Sequence, residues 1–291
     1  VERSLHMRKV EGSSPSGSTY ILAPVLMKIV FLSSAIFPSI GGVQTHVLRI
    51  SEELIRRGHS ITIITELPPE FNHSKKYFYQ SRGSSVKVSL ILKKIDKSIY
   101  SYDLSKNKIH IIGIKFGKNN YSKKIRIWFK LLKIRKYFLD ADIIHCHDVY
   151  VWYFPFRVLF PWKKSYITFH GYEGVVPPKK NAVLIRKISN ELSRASILVG
   201  SYIRKWYGTN SPFVTYGGVE RNKIFTYRHV KKELRILMIG RLDRDIGVQT
   251  YVGILNHLKE LGIRYKCVVL GDGPMRSTIE KYALVKGFVN D

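Results

Sequence analysis

The chain has 291 residues, with 49 Lys and Arg against 21 Asp and Glu, for a net charge of +28. Its 45% hydrophobic content is ample for a packed core, which excludes disorder as the default state, and the length suits about two domains of roughly 100–200 residues each. So basic a surface favours anionic partners (nucleic acid, acidic lipid headgroups or phosphorylated small molecules), and charge alone does not choose among them.

In chain order, residues 1–26 read as an upstream extension, linker-like at Ser13-Ser14-Pro15-Ser16-Gly17-Ser18 and expected to be disordered. The apolar stretch over residues 20–40 resembles a signal or membrane segment. It is interrupted by Pro24, Lys28 and Pro38, and a soluble first strand after Met27 explains it better. Continuous apolar runs then recur at residues 29–32, 61–64, 109–114, 143–144, 167–169 and 197–199, as in parallel strands buried on both faces. Between the first two, Val43, Val47, Ile50 and Leu54 make one helical stripe, leaving Arg49, Glu53 and Arg56 for solvent. Gly58 supplies the left-handed turn that ends this helix.

The tetrapeptide Gly-Val-Gln-Thr occurs at residues 42–45 and again at 247–250. The second copy also follows an apolar run, at residues 236–239. It opens a stripe of Val248, Val252, Leu255 and Leu258, stops at Gly262 and is followed by the run at 267–270. Strands alternating with helices predict an α/β fold of two Rossmann-like, doubly wound domains, the second incomplete. The expected boundaries are 27–208 for the first domain, 209–232 for a linker and 233–291 for the second. Residues 123–139 form a basic amphipathic stretch. Ile125, Trp128, Phe129 and Leu132 are read as one face, suited either to an ordinary helix on the sheet or to a membrane surface. Cys146 and Cys267 sit inside strand-like runs and read as buried, reduced core residues.

Chemistry concentrates at the predicted C-terminal ends of strands, where open parallel sheets bind ligands. Gly41-Gly42 lets backbone approach a ligand before a helix N-terminus, although any tight strand-to-helix turn can use the pair. His145, His147 and Asp148 end one strand; His170 and Gly171 end another. One strand-end histidine fits a structural role, whereas two neighbouring strand ends argue for a cleft. Arg241 after Gly240 can fork onto a pyrophosphate or simply occupy a surface turn. Gly271-Asp272-Gly273-Pro274 can open a helix. No metal site is expected: His145 and His147 are read as pointing to opposite faces of their strand. No nucleophile elbow and no Walker lysine loop is visible.

Six segments in order, GGVQTHVLRISEELIRRGH, DIIHCHD, TFHG, YGGVE with Phe225 following, GRLDRDIGV and GDGP, resemble glycosyltransferase family 4, retaining enzymes of the GT-B fold. The resemblance runs from Met27 to the end. It implies a nucleotide-sugar donor as substrate, with no cofactor or metal, and a glycan or lipid-linked acceptor bound by the N-terminal domain. It implies His170 against the transferred sugar, and Gly41, Gly42 and Arg241 toward donor phosphate or acceptor. His147, Asp148, Gly171, Gly217, Gly218 and Gly271 are expected to border the cleft.

Two departures stand out. Ile246 occupies the position of a lysine that faces the leaving diphosphate, with Arg244 as a substitute cation. The paired-glutamate motif falls beyond residue 291. The chain alone is therefore expected not to transfer sugar, a second polypeptide is a candidate partner, and amides after about residue 233 are expected to exchange fast. The rival readings are a non-catalytic remnant or binding subunit, and a basic nucleic-acid binder, which lacks an aromatic-interleaved recognition module. The expected location is the cytoplasm, with peripheral attachment to the inner face of the membrane.

Overall fold

The computed structural model describes residues 25–36, 41–69, 71–72, 78–79, 88–104, 109–171, 177–218, 234–244 and 247–289. The expected extension (as far as residue 24), residues 219–233 and Ile246 lie outside these. The chain divides into two compact units, residues 1–171 with 179–216, and residues 172–178 with 217–291.

In the first unit, β1 (Lys28–Ser33), α1 (Gly42–Arg56) and β2 (Ser60–Glu66) form the opening strand-helix-strand motif. The short strands β3 (Phe78–Tyr79) and β4 (Val88–Ser89) follow, then β5 (Lys93–Asp96), β6 (Ile99–Leu104) and β7 (Ile109–Ile114). Next come α2 (Lys123–Lys133), α3 (Lys136–Asp140), β8 (Ile143–His147), a single 3₁₀ turn at Tyr150–Trp152, α4 (Phe154–Leu159) and β9 (Lys164–Phe169). The unit closes with α5 (Lys180–Leu192), β10 (Ala195–Val199), α6 (Tyr202–Tyr207) and β11 (Phe213–Thr215).

Nine strands make one sheet in the order β11-β10-β9-β8-β1-β2-β7-β6-β5. It is parallel except at one edge, where β5, β6 and β7 run antiparallel. That meander was not visible as such in the sequence. Because β11 pairs with β10 through Ile197–Phe213 and Leu198–Val214, residues expected in the linker belong to the first unit, which extends to Tyr216.

The strand pleat explains the unbroken apolar runs. Ile29 and Phe31 point into a core shared with Val47 of α1, while Val30 and Leu32 point into the opposite core, with Ile127, Leu131, Phe138 and Phe156. Side chains alternate faces along a strand, so two buried faces demand apolar residues at every position. Burying a Leu or Ile side chain contributes roughly 1.5–3 kcal/mol, and these two cores supply most of what holds the unit together. In α1 the expected stripe is present, with Glu53 bonded to both Arg56 and Arg57 on the outer face; Arg49, expected in solvent, is half-buried. Gly58 has φ +89, the left-handed turn that ends the helix.

The α2 face differs from expectation. Ile127 and Leu131 are buried and continue as Ile134 and Phe138, with Trp128 and Leu132 packed at the flank. Ile125 and Phe129 are 52% and 66% exposed and point away from the core.

The second, smaller unit holds β12 (Leu234–Ile239), α7 (Val248–Glu260), β13 (Tyr265–Leu270), α8 (Arg276–Ile279) and β14 (Leu284–Gly287). Its parallel sheet has the order β12-β13-β14, packed on Val248 and Leu255 of α7 and on Ile279. Among the described residues β12 pairs with β13 alone, and Leu234, Leu237 and Ile239 on it are exposed. The loops after β12 and β13 are latched together: Gly240 N–H donates to Leu270 O, and Leu242 N–H to Asp272 O. Gly271 has φ +150, and a Cβ there would lie 1.8 Å from the Gly240 carbonyl oxygen, so no other residue fits this crossing.

Among the described residues no helix is long and apolar enough to cross a membrane. Cys146 and Cys267 are free and buried, as read from their runs, and burial pushes both thiols up.

Candidate active site

The register of β8 against β9 places His147 beside Thr168, so the ends of these strands lie side by side at the C-terminal edge of the sheet. Residues two apart on a strand share a face. His145 and His147 accordingly stack, with ring centroids 4.6 Å apart, which corrects the opposite-face expectation. Both lie on the face that α1 covers, edge-on to Phe31. From α1, His46 comes to 4.8 Å of the His170 ring, centroid to centroid.

The rings are tied together. His147 Nδ1 and His170 Nε2 share a hydrogen bond of 3.0 Å, and His145 Nε2 bonds the Thr168 hydroxyl at 2.8 Å. Burial disfavours the imidazolium form. It pushes His145 down to about 4 and His170 down to about 3, with the neighbouring imidazoles adding to the effect. His147 moves the same way, well below the usual range, and His46 is lowered too, again chiefly by burial. All four rings are neutral at pH 7, and the half-buried His46 and His170 are the ones placed to exchange hydrogen bonds with a sugar hydroxyl or phosphate oxygen.

Asp148 sets the position of His170. It adopts φ 63, left-handed for a residue with a side chain, a conformation that Asp tolerates better than most and that marks strain at functional sites. Its amide donates to Thr168 O and its Oδ1 accepts from the His170 amide at 3.0 Å. Behind them, Arg186 of α5 is buried, 3% exposed. Its guanidinium lies 3.9 Å over the Tyr207 ring and 5.1 Å over the Phe169 ring. Its Nη2 donates to the Gly171 carbonyl, and Asp148 Oδ1 is 3.8 Å away. Tyr202 Oη adds a bond to the His170 carbonyl at 3.2 Å. The turn that carries His170 is thus held on both sides of the residue.

The first unit therefore brings together His147, Asp148, His170 and Gly171, with Gly41 and Gly42 at the start of α1. Gly41 is extended and its carbonyl accepts from Thr45 N–H; a side chain at Gly42 would meet nothing within 4 Å, so that backbone is open. Gly217 and Gly218 follow β11, exposed and open in the same way. Arg241 and Gly271 belong to the second unit, at the ends of β12 and β13, with Arg241 and Arg244 both exposed.

Two residues of the site were missed in the sequence. His46 stands four residues into the helix that follows Gly41-Gly42, which points it back at the strand ends. Arg186 occupies a core position of α5, between Val183 and Ser189 on the buried side, and an arginine on the apolar stripe of a helix was the available signal.

The family model of Glycosyltransferase Family 4 matches residues 40–212, more than half of the chain, and the chain belongs to that family. No curated protein matches at significance. Among solved structures the fold is similar to the catalytic domain of Starch Synthase IV from Arabidopsis thaliana bound to ADP and acarbose. The two are 13% identical, with a TM-score of 0.54, and the match covers 91% of this chain and 75% of that one. It is similar to Anabaena HepE in complex with UDP and glucose, at 12% identity and a TM-score of 0.55, covering 90% and 70%. A glycosyltransferase from Rickettsia africae is 15% identical with a TM-score of 0.54, covering 92% and 70%. These likenesses establish the fold, which is of the GT-B type.

Proposed function

We propose that the protein takes part in moving a hexose from a nucleotide-sugar donor to a glycan or lipid-linked acceptor with retention of configuration, without a resident metal. The observation that carries this reading is His170, held at the end of β9 by Asp148 in a member of a glycosyltransferase family. In the reaction the neutral imidazole hydrogen-bonds the transferred sugar, and Arg241 meets the donor diphosphate. Charge growing on the leaving diphosphate is stabilised by Arg241 and by amides at helix starts, interactions that strengthen as the bond breaks and so act on the transition state. No protein nucleophile is assigned. The alternative, a binding subunit without turnover, keeps the same cleft.

Under conditions where the wild type transfers sugar, His170→Ala is expected to remove most turnover, on the order of 10²-fold, while circular dichroism and unfolding temperature stay close to wild type. Near-wild-type turnover in a transfer assay with a panel of nucleotide sugars would defeat the assignment. Absence of transfer by wild type, with donor binding retained, would favour the binding subunit.

A bilayer is the proposed setting. Tyr121, Ile125 and Phe129 are exposed and spaced four residues apart along and just before α2, with Lys124 and Lys133 beside them and +28 overall. An apolar stripe flanked by lysines suits the headgroup region of an anionic membrane. Cosedimentation with phosphatidylserine-containing liposomes should be strong at low salt, fade as salt rises and drop severalfold in Ile125→Ser/Phe129→Ser. Equal binding to neutral liposomes would refute it.

A further inference from the structure

We infer that His46, His147 and His170 form a binding site for a divalent transition-metal ion of the zinc type. The inference stands apart from the transferase reading, because it concerns a ligand that the proposed reaction does not need.

Three features carry it. Each of the three imidazoles presents a ring nitrogen such that all three lie within 4.8 Å of one another. A tetrahedral Zn²⁺ with Zn–N bonds of about 2.0–2.1 Å needs nitrogens roughly 3.3 Å apart. His147 and His170 are already at 3.0 Å. His46 has to close by up to about 1.5 Å, and it is the half-buried member on the helix side, where a side-chain rotation can bring its ring nearer.

The second feature is an unmet demand. His147 Nε2 is buried and has no hydrogen-bond partner among the described residues. A buried polar nitrogen left without a partner is costly and signals a missing group. The two ring nitrogens give alternative modes: with the metal on Nε2 the orphan is satisfied directly and Nδ1 keeps its bond to His170, whereas with the metal on Nδ1 the 3.0 Å contact to His170 becomes a ligand edge and Nε2 carries the proton.

The third feature is the chemistry of the donors. An imidazole ligates a metal as the neutral ring, the form that an ordinary histidine side chain already favours at pH 7. Neutral imidazoles suit Zn²⁺, Co²⁺, Ni²⁺ and Cu²⁺, whereas Mg²⁺ and Ca²⁺ require oxygen ligands. Asp148, the carboxylate at hand, is engaged by the His170 amide and by Arg186. Three protein ligands leave the fourth position for water or another oxygen donor. The absence of a negative ligand and the net positive charge work against a cation, which sets the expected affinity in the micromolar range rather than that of a structural zinc site. Because the ion takes the His170 nitrogen, it would displace a sugar from that imidazole and act as an inhibitor.

The test uses the untagged, chelator-treated 291-residue chain, titrated with Co²⁺ and followed by visible absorption, with Zn²⁺ then displacing the Co²⁺. One equivalent is expected to bind with the spectrum of a tetrahedral nitrogen-rich site. His46→Ala, chosen because the residue is half-buried and its loss leaves the core intact by circular dichroism, is expected to weaken binding at least tenfold. His257→Ala, on the exposed face of α7, is expected to leave it unchanged. Absence of saturable binding, or binding that survives His46→Ala at full strength, overturns the site and assigns any residual affinity to surface histidines.

Discussion

Arg186→Met should lower the unfolding temperature by roughly 5–10 °C and reduce turnover more than donor affinity. Methionine keeps the apolar stem and volume but removes a buried cation that lies over Tyr207 and Phe169, bonds the Gly171 carbonyl and stands 3.8 Å from Asp148. Breaking a fully buried ion pair costs about 3–5 kcal/mol. Asp148 keeps 27% of its side-chain exposure, and the solvent that reaches it screens the remaining charge, so about 2–3 kcal/mol is the appropriate figure. At about 2–4 °C per kcal/mol for a unit of this size, the stated shift follows. The functional loss has a distinct origin. Without the guanidinium, Asp148 and the Gly171 carbonyl are free to turn, and both ends of the His170 turn lose their anchor. A misplaced imidazole affects the transition state more than the ground state, so kcat should fall while KM changes little. Arg186→Lys restores charge but not the planar stacking on Tyr207 and Phe169, and rescue should be partial. An unfolding temperature within a degree of wild type, or a loss confined to KM, would sink this account.

Acid should destabilise the metal-free protein well above the pH at which carboxylates titrate. His145 and His170 have folded pKa values of about 4 and about 3, against 6.5 for the free side chain. Between those limits the unfolded chain binds protons that the folded chain refuses, so stability is complete above pH 6.5 and declines as pH falls toward 4 and then 3. For His145 alone the loss by pH 4 is about 3 kcal/mol at most, since the residue is only partly shielded from solvent. Against a total of roughly 5–15 kcal/mol, one such group matters, and His46 and His147 act in the same direction. Urea midpoints measured with chelator at pH 7.5, 6 and 5 should fall progressively, with a shallower slope in His145→Gln. A midpoint that holds constant down to pH 5 would show that the rings are solvated.

The strand-helix alternation could be read from the sequence because each central strand faces two cores and so announces itself as an unbroken apolar run. Other features carried weaker signals. In β6, Ser101 and Asp103 interrupt Tyr100, Tyr102 and Leu104, and the meander at the sheet edge was not recognised. Phe213-Val214-Thr215 is too short to register as a strand and becomes one through pairing with β10. In α2 the apolar residues fall on two sides, and spacing alone favoured Ile125 and Phe129 over Ile127 and Leu131 as the buried pair. The repeated Gly-Val-Gln-Thr marks two helix starts, yet α1 begins on its glycine whereas Gly247 precedes α7 in a left-handed conformation with φ 79. At the site, the strand-end histidines followed from motif position. The ring cluster did not, because His46 arrives from a different element and the faces of β8 were misassigned. The contact of Arg186 with Asp148 joins residues 38 positions apart and was beyond any local pattern.

Among the described residues, β12 shows one hydrogen-bonded neighbour, and Leu234, Leu237 and Ile239 stand out of it into solvent. Exposed apolar side chains on a strand of high β-propensity favour contact with another apolar surface. In a concentrated solution the readiest such surface is the same face of a second molecule. Self-association of this protein, whether as soluble oligomers or as precipitate during expression and storage, therefore has its natural seed at β12, and a lysine in place of Leu237 is the economical guard against it.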